Sequence, residues 1–413
     1  MLDSLHEIVA TIRKNKMRTF LTGFAVAWGI LMLMLLLAAG NGLQNGVMSN
    51  FEGRAMNTIG IWPGRTSIPH GGFQSGRRIR FDNRDIETIK KHIANLEYLS
   101  PNISRSRTIS YGKEYGNWSM EGISQDERYL YNIKLVENGG RFLNEMDIQS
   151  SRKNIVISLN MKQTLFGDED PLGKYVVANN IAFQVVGVHD DKNPYGSAYI
   201  PYSTALALFS PSRRLDGIEF TVTGLNTAEE NEAFNESLRT LIAKQHGFDP
   251  KDRSAIYVNN RGEEALRFNS LFAMIHIFIL IIGAASLMAG IVGVGNIMLI
   301  TVKERTREIG IRKAIGASTG SILKLIILEA IFITTCAGYV GILLGVAITE
   351  AFSAALASSA GEEGKMTMFL DPTVSLSTVL GATAFLIACG VVAGLIPALK
   401  ATRIRPIEAM RAD

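Results

Sequence analysis

The stretch Phe20–Ala39 reads FLTGFAVAWGILMLMLLLAA and contains no charged side chain. About 20 apolar residues of α-helix cross the core of a bilayer, and backbone in lipid must satisfy its own hydrogen bonds, as a helix does. Three further stretches have this character: Leu271–Ile300, Ile322–Thr349 and Val374–Leu399. The sequence therefore predicts four transmembrane helices. A cleaved signal peptide is the alternative for the first stretch, but its apolar run is too long and no A-x-A-like site ends it.

Basic side chains are concentrated before the first stretch, between the second and third, and after the fourth. They are Arg13, Lys14, Lys16 and Arg18, then Lys303, Arg305, Arg307, Arg312 and Lys313, then Lys400, Arg403, Arg405 and Arg411. The positive-inside rule places all three clusters in the cytoplasm. Both termini are then expected to be cytoplasmic, with residues 41–270 outside the membrane.

Charge is distributed unevenly along the 413 residues. Residues 41–270 carry 27 basic and 27 acidic side chains, of 42 and 38 in the whole chain. The mean hydropathy of +0.16 is therefore an average over a charge-balanced segment and four apolar ones. This division excludes a uniformly soluble enzyme, a disordered chain and a nucleic-acid binder that acts through bulk charge. The only cysteines, Cys336 and Cys389, lie in apolar stretches and do not reveal the redox compartment.

The outer segment, residues 41–270, has a mixed α and β pattern. Apolar spacing predicts a helix over Arg84–Leu96, and Thr227 with Glu230 resembles a capping box that opens a helix reaching Lys244. Short runs of β-branched and aromatic residues predict strands: Ile155–Ser158, Ala182–Val188 and Ala198–Tyr202. The predicted fold class is a membrane protein with four transmembrane α-helices and a large α+β extracytoplasmic domain between helices 1 and 2. We expect two subdomains in that domain.

Catalytic motifs are scarce. The outer histidines lack the spacing of metal ligands, and we interpret His189–Asp191 as a strand end followed by a polar turn. The run Gly167–Lys174, GDEDPLGK, comes close to a phosphate-binding loop. Its glycines are one residue too far apart, and Tyr175 replaces the Ser or Thr that binds magnesium. We therefore predict no catalytic residue, metal site or ATP site in this chain, and interpret this run as a turn before a strand.

The inner segment Thr301–Ser318 reads TVKERTREIGIRKAIGAS. It is too charged for lipid, and Glu308 with Arg312 has the favourable i,i+4 order of a helical ion pair. One interpretation is a helix on the membrane surface that presents charged and apolar side chains to a cytoplasmic partner. The other is a solvated basic loop that only fixes the topology. The residues alone favour neither.

Small residues spaced four apart indicate helix–helix contact in membranes. Each apolar stretch contains such a pair or triplet: Gly23 and Ala27; Ala285, Ala289 and Gly293; Gly341 and Gly345; Gly390 and Gly394. Placing the charged side chain of Glu329 in lipid costs free energy. Because Lys324 is near it, we favour a structural ion pair over a proton relay. The lack of other charges at this depth weighs against a carrier coupled to protons or sodium.

Longer motifs resemble the MacB/FtsX class of ABC-transporter permeases. They are Asn15–Thr22 (NKMRTFLT), Asn57–Arg65 (NTIGIWPGR), Val185–Thr204, Asn296–Ala317 (NIMLITVKERTREIGIRKAIGA) and Ile396–Arg411 (IPALKATRIRPIEAMR). Together they extend over nearly the whole chain, and the large loop after the first span agrees with the class.

The resemblance implies a homodimeric permease in a bacterial inner membrane, in contact with lipid and not with nucleic acid. It implies that the inner segment is a coupling helix that docks on a cytoplasmic ABC ATPase, which binds ATP and Mg²⁺. That role falls on Glu308, Ile309, Gly310, Arg312 and Lys313. Only 19 residues precede Phe20, whereas the namesake exporter carries its ATPase domain ahead of the first span, so a separate ATPase subunit is expected.

In this class the permease transmits ATP-driven motion to its outer domain rather than conducting substrate between its helices. The leading functional hypothesis is therefore efflux of small molecules or peptides with a periplasmic adaptor and an outer-membrane channel. The alternatives are a lipoprotein-release permease, a non-transporting regulator of a cell-wall hydrolase, and a membrane-anchored sensor or scaffold without an ATPase. The expected segments are an interfacial helix 1–18, spans 19–40, 271–300, 321–349 and 374–399, the outer domain 41–270, the coupling loop 301–320, an outer loop 350–373 and a tail 400–413. The resemblance also implies that spans 1 and 2 extend outward as stalk helices at both ends of the outer domain.

Overall fold

The computed structural model describes residues 16–52, 55–190, 197–210, 212–359, 372 and 376–402. These residues fall into two units, one formed by both ends of the chain and the other by the segment from residue 48 to residue 270. The predicted interfacial helix 1–18 lies outside the described residues apart from its last three positions. The tail is described only as far as Thr402.

Helices and strands are numbered here in chain order. The helices are α1 (Lys16–Glu52), α2 (Asn83–His92), α3 (Glu127–Leu130), α4 (Glu145–Gln149), α5 (Leu159–Phe166), α6 (Tyr202–Phe209), α7 (Ala228–His246), α8 (Arg261–Glu304), α9 (Thr306–Ala314), α10 (Thr319–Ser359) and α11 (Leu376–Thr402). The strands are β1 (Thr58–Pro63), β2 (Leu96–Tyr111), β3 (Glu114–Ile123), β4 (Lys134–Gly140), β5 (Asn154–Ser158), β6 (Tyr175–Ala178), β7 (Ile181–Asp190), β8 (Ser197–Pro201), β9 (Gly217–Val222) and β10 (Ile256–Asn260).

Four helices of the described chain, α1, α8, α10 and α11, are long and apolar enough to cross a membrane. Their outward side chains are apolar, for example Phe24, Trp28 and Phe278, which suits contact with lipid. The predicted four-helix membrane protein is confirmed. All four helices run beyond the predicted spans. Helix α1 continues past residue 40 to Glu52, α8 begins at Arg261, and α11 continues to Thr402. Helix α10 continues past Thr349 to Ser359, into the segment predicted as an outer loop.

The outer unit is built on a sheet with strand order β10-β1-β9-β2-β3-β8-β5-β7-β4, in which β6 pairs with both β2 and β7. The long strand β2 joins its two parts, because its first half pairs with β9 and its second half with β3. Most pairs are antiparallel, while β3–β8 and β5–β7 are parallel. This arrangement of sheet and helices confirms the predicted α+β class.

The core of the outer unit lies where fully buried strands meet the helices. Every residue of β5, β8 and β9 is buried. Most of these residues are apolar, although Asn154 and Glu219 are buried among them. Phe81, Phe183, Phe220 and Phe248 are the largest fully buried side chains among the described residues. Burial of a phenylalanine contributes about 1.5–3 kcal/mol of hydrophobic free energy.

The helix predicted over Arg84–Leu96 is too long at its C-terminal end. Helix α2 ends at His92, Ile93 is extended with φ −96° and ψ 110°, and Leu96 begins β2 opposite Val222. Ile93 and Leu96 pack against the core from the extended chain, so their apolar spacing fits a helix and a strand equally well. Strand pairing with β9 decides between the two.

Two local predictions are confirmed. Thr227 caps α7, since its hydroxyl accepts from the Glu230 N–H at 3.2 Å while the Glu230 carboxylate accepts from the Thr227 N–H at 3.0 Å. The run Gly167–Lys174 is a turn, in which Asp170 accepts from the Leu172 N–H at 3.1 Å before β6 begins. Gly167 and Gly173 have φ of +57° and +77° there, a conformation that glycine adopts without strain.

Candidate functional site

The candidate site is the short helix α9 and the helix ends around it. Residue Arg305 separates α8 from α9. After α9 the chain reverses at Gly316, with φ +100°, and the Ser318 hydroxyl accepts from the Ser321 N–H at 3.3 Å, which caps the start of α10. The inner segment is therefore helical over Thr306–Ala314, as one of the two interpretations predicts.

One face of α9 packs inward. Ile309 is only 8% exposed and Gly310 is also buried. Beside them lies a cavity of about 30 Å³, which gives room for about one water molecule. Its lining includes Met298 and Thr301 of α8 and Ile326 of α10. Helix α9 is thus seated on the ends of α8 and α10.

An ion pair crosses this region. Arg305 Nη1 lies 3.4 Å from Glu329 Oε2, and the Glu329 side chain is 5% exposed. Arg305 Nε also lies 4.0 Å from Glu308 Oε2. The partner of Glu329 is thus Arg305, whereas the predicted partner, Lys324, is exposed. A separation of five residues places Lys324 and Glu329 on different faces of α10, because an α-helix turns about 100° per residue.

The structure divides the residues predicted to couple to an ATPase. Ile309 and Gly310 face inward, while Glu308 and Arg312 are exposed. Lys313 is half-buried and donates from Nζ to the Thr402 carbonyl at the end of α11, at 2.6 Å. The predicted set therefore combines residues that hold α9 in place with residues that it presents outward.

Two residues on the outward face are missing from the predicted set. Ile311 is 42% exposed and Ile315 is 82% exposed. They are spaced four apart and so share a face of the helix, and this face is not the one that Ile309 buries. The sequence itself shows this four-residue spacing, on a face that excludes Ile309, and it could have identified both residues.

Glycines set the contact between α1 and α10. A Cβ atom on Gly341 would lie 2.5 Å from the carbonyl oxygen of Ala27, and one on Gly345 would lie 2.9 Å from the Cβ of Met34. Gly23 lies against Ala337, with 3.5 Å between its added Cβ and the alanine Cβ. The two backbones approach this closely because side chains are absent at these positions.

Helices α10 and α11 meet in the same manner. A Cβ on Gly394 would lie 2.8 Å from the Cβ of Ala330, and one on Gly390 would overlap the Thr334 hydroxyl. The predicted stripe in α8 is different. Ala285 and Ala289 are exposed, and a Cβ on Gly293 would meet no heavy atom of the described chain within 4 Å.

The contact of α8 with α1 uses another face of the helix. Gly290 lies against Val26, with 3.4 Å to the added Cβ, and Gly283 lies against Leu33. A polar contact adds to this packing, since His276 Nε2 lies 2.9 Å from Asn41 Oδ1. Within this chain, the stripe predicted from Ala285, Ala289 and Gly293 is therefore not the face that α8 packs on α1.

The outer unit offers less chemistry. His189 lies one residue before the end of β7, as predicted, and is buried, with Nε2 3.0 Å from the Ser197 carbonyl. The predicted polar turn after it, from Asp191, lies outside the described residues. In the described part of the chain no group of three or more His, Cys, Asp or Glu side chains could hold a metal ion. Cys336 and Cys389 are free thiols.

Fold and site together define a multi-pass membrane protein with an α+β domain inserted after its first membrane helix. A family model described as the MacB-like periplasmic core domain matches residues 19–241, and one described as the FtsX-like permease C-terminal matches residues 271–406. The chain therefore belongs to the MacB/FtsX family of ABC-transporter permeases.

Relatives named macrolide export ATP-binding/permease protein MacB align with the whole chain. The protein from Bdellovibrio bacteriovorus is 29% identical and that from Neisseria gonorrhoeae is 30% identical, each over 100% of this chain. The alignments cover 62% and 61% of those proteins, so the chain spans about three fifths of the length of these relatives.

Among solved structures, the periplasmic region of MacB from Actinobacillus actinomycetemcomitans is similar with 25% identity and a TM-score of 0.44. It covers 54% of this chain and 97% of its own. The extracellular domain of the noncanonic ABC-type transporter YknZ from Gram-positive bacteria is 21% identical with a TM-score of 0.42, and covers 49% and 100%.

Proposed function

We propose that this chain is a permease component of a bacterial inner-membrane ABC transporter that transmits the ATP-driven motion of an ABC ATPase to its outer domain. The observation that carries the proposal is the outward face of α9. Ile311 and Ile315 expose apolar surface beside the exposed Glu308 and Arg312. Apolar anchors with arginine and a polar rim are typical of protein–protein interfaces.

The attachment of α9 supports a mechanical role. Ile309 and Gly310 seat the helix, the Arg305–Glu329 pair ties its start to α10, and Lys313 ties its end to α11. A push on the outward face would therefore reach three membrane helices together. A slack loop would absorb the same push by changing its own backbone angles.

The length of the membrane helices supports transmission further outward. Helix α8 begins directly after β10 and runs 44 residues without interruption, which is about 66 Å at 1.5 Å per residue. Helix α1 has 37 residues, or about 55 Å. Both exceed the roughly 30 Å core of a bilayer, so each is long enough to act as a stiff rod from the membrane into the outer segment.

The remaining partners belong to the same proposal. We expect a second copy of the chain, an ATPase that supplies the ATP and Mg²⁺ sites, and termini on the cytoplasmic side. The proposal includes efflux of small molecules or peptides, with a periplasmic adaptor and an outer-membrane channel completing the path, and the relatives' name, macrolide export, supports its small-molecule part. In this scheme the outer domain works on the adaptor, and substrate does not pass between the four helices of one chain.

The test removes the exposed apolar side chains of α9 and leaves its buried contacts, at Ile309 and Gly310, intact. In the double variant Ile311→Asp and Ile315→Asp, the ABC ATPase that copurifies with the unaltered chain in mild detergent is expected to be lost. Transport-coupled ATPase activity should fall at least tenfold. Thermal stability should stay unchanged, because both side chains are exposed. Ile68→Asp, also at an exposed isoleucine, is the matched control and should retain the ATPase.

The proposal fails in two ways that can be told apart. If no ATPase copurifies with the unaltered chain, the role as an ABC permease is wrong. If an ATPase copurifies equally well with the double variant and with the control, the permease role stands but α9 is not its docking surface.

A further inference from the structure

Five arginines of the outer unit lie on three neighbouring chain segments: Arg65, Arg78, Arg80, Arg213 and Arg214, together called the arginine surface. A β-bridge pairs Arg65 with Arg78, and a second bridge pairs Phe81 with Leu215. Arg80 and Arg214 each precede a residue of the second bridge. The two bridges bring the three segments together. In agreement with this, desolvation and the positive charges of Arg80 and Arg78 lower the pKa of the Arg214 guanidinium.

The backbone holds these side chains outward. Ile79 and Phe81 are 1% and 0% exposed, while Arg78 and Arg80 are exposed, so the segment alternates between core and solvent as an extended strand does. Leu215 is buried beside Arg214, which keeps the segment that carries Arg213 and Arg214 in the same orientation. The arginine surface is therefore supported by buried side chains.

Two polar anchors fix the loop that carries Arg65 and Arg78. Asp252 accepts from the backbone N–H groups of Ser67 and Ile68, at 2.6 and 2.9 Å, and from the Ser67 hydroxyl at 2.7 Å. Arg77 donates to the carbonyls of His246 and Gly247 at the end of α7, at 2.8 Å each. The loop is thus attached at both sides before any partner binds.

The charge of this surface is not neutralised from within the described chain. Over residues 55–190 and 212–270, no carboxylate forms a salt bridge with any of the five arginines. The nearby carboxylates are engaged elsewhere, since Asp82 pairs with Arg84 and Asp216 with Arg105. Like charges held close together destabilise a folded domain, so an anionic partner would relieve a cost that the fold otherwise carries.

We propose that the arginine surface binds an acidic segment of a protein partner. Guanidinium groups bind carboxylates through paired hydrogen bonds. Apolar contacts are available on the same loop, because Ile68 is 37% and Phe73 53% exposed, and Arg77 stacks 4.4 Å from the centre of the Phe73 ring. Arginine together with aromatic and aliphatic anchors favours a protein partner over a phospholipid headgroup. This inference goes beyond the coupling role of α9 and does not depend on it.

The test uses the full chain in phosphatidylcholine nanodiscs and fluorescein-labelled octaglutamate as the probe. Fluorescence anisotropy at low salt should detect binding, and the variant R78Q/R80Q/R213Q/R214Q should weaken it at least tenfold. The dependence of binding on salt concentration should become shallower, because fewer ion pairs form. The variant should unfold at the same temperature as the unaltered chain or higher, since it removes repulsion, so lost binding cannot be attributed to unfolding.

The matched control K113Q/R128Q/K134Q/K153Q removes four exposed positive charges from other elements of the outer unit and should bind within twofold of the unaltered chain. Equal losses in both variants would mean that bulk charge binds the probe, and this would overturn the proposal. So would the absence of binding by the unaltered chain. Phosphatidylglycerol vesicles provide the lipid arm. The surface binds lipid instead if two results are found together. The vesicles would co-float with nanodiscs that hold the unaltered chain but not with those that hold R78Q/R80Q/R213Q/R214Q, and that variant would bind octaglutamate as well as the unaltered chain does.

Discussion

Glu329 places an ionisable carboxylate among apolar membrane helices, where its side chain is only 5% exposed. A charge in such a position is costly unless a partner compensates it. The partner, Arg305, stands at the junction of α8 and α9. This ion pair therefore connects the start of the short helix to α10, and its removal should lower the stability of the whole membrane unit.

We expect Arg305→Met to lower the stability of the chain in detergent by about 3–5 kcal/mol, because a buried carboxylate loses its guanidinium. The double variant Arg305→Met and Glu329→Met should recover most of this loss, since no charge remains to be compensated. Thermal unfolding followed by Trp28 fluorescence, in a background in which Trp62 and Trp118 are replaced by Phe, measures both. Lys324→Met is the control and should change little, because Lys324 is exposed. A larger effect for Lys324 than for Arg305 would contradict the pairing.

The sequence identifies Glu329 but not its partner. A carboxylate in an apolar stretch stands out by composition alone, and Lys324 is the nearest base along the same stretch. The true partner is 24 positions away and reaches Glu329 because the end of α8, the start of α9 and α10 meet around one small cavity that both side chains line. Proximity along the chain misleads here, since the pairing depends on which faces of separate helices meet.

At the scale of elements, glycine positions decide how close α1 and α10 come. A methyl group on Gly341 would contact the backbone of Ala27, which cannot move aside as a flexible side chain can. The same methyl group on Gly293 would meet nothing within 4 Å in the described chain. The same substitution to alanine therefore meets a crowded backbone at Gly341 and open space at Gly293.

Gly341→Ala should therefore destabilise the membrane unit by separating α1 from α10, at a cost of about 1–3 kcal/mol, as overpacking of a close contact usually does. Gly293→Ala should be neutral or stabilising by up to about 1 kcal/mol, because alanine is the better helix former. Thermal unfolding of both variants in the same detergent gives the comparison. Equal effects would show that Gly341 does not limit the approach of the helices.

The two elements that differ most from their predictions share a physical cause. In α8 the four-residue spacing of Ala285 and Ala289 is genuine, but Gly283 and Gly290 lie on the face that packs on α1. In the outer unit the spacing of Ile93 and Leu96 fits a helix, while strand pairing extends the chain there. Periodicity shows that a face is apolar, and only the neighbouring element decides which face is used.

At the scale of the molecule, the helices are easier to predict than the sheet. A bilayer imposes a length and an absence of charge, so the four membrane helices are visible in the sequence. The sheet order is set by long-range pairing that no local pattern encodes. Its most informative pair is β1 with β10, in antiparallel register from Ile59 opposite Asn260 to Pro63 opposite Ile256. The outer segment therefore enters and leaves its sheet on adjacent strands, which lets a large domain be inserted between two helices.

Asp252 links the acid stability of the outer unit to the loop of the arginine surface. Burial alone would raise the pKa of this carboxylate, but hydrogen bonds from Ile68, Ser67 and Ser254 outweigh it and lower the pKa below its ordinary value of 3.8. A depressed pKa in the folded state means that the carboxylate stabilises the fold above pH 3.8. That contribution is lost as the pH falls through the lower folded value.

We expect Asp252→Asn to destabilise the outer unit at neutral pH by about 1.5–3 kcal/mol, the usual range for hydrogen bonds to a charged group. Below pH 3.8 its stability should approach that of the unaltered chain, because there the native carboxyl is increasingly protonated as well. Urea unfolding followed by the fluorescence of Trp62 and Trp118, in a background in which Trp28 is replaced by Phe, measures both. Asp168→Asn, at an exposed carboxylate, is the control and should follow the unaltered chain at every pH.

Since Asp252 holds Ser67 and Ile68, the variant Asp252→Asn should also weaken octaglutamate binding. If that binding persists after the anchor is removed, the loop does not need to be held in place to present its arginines.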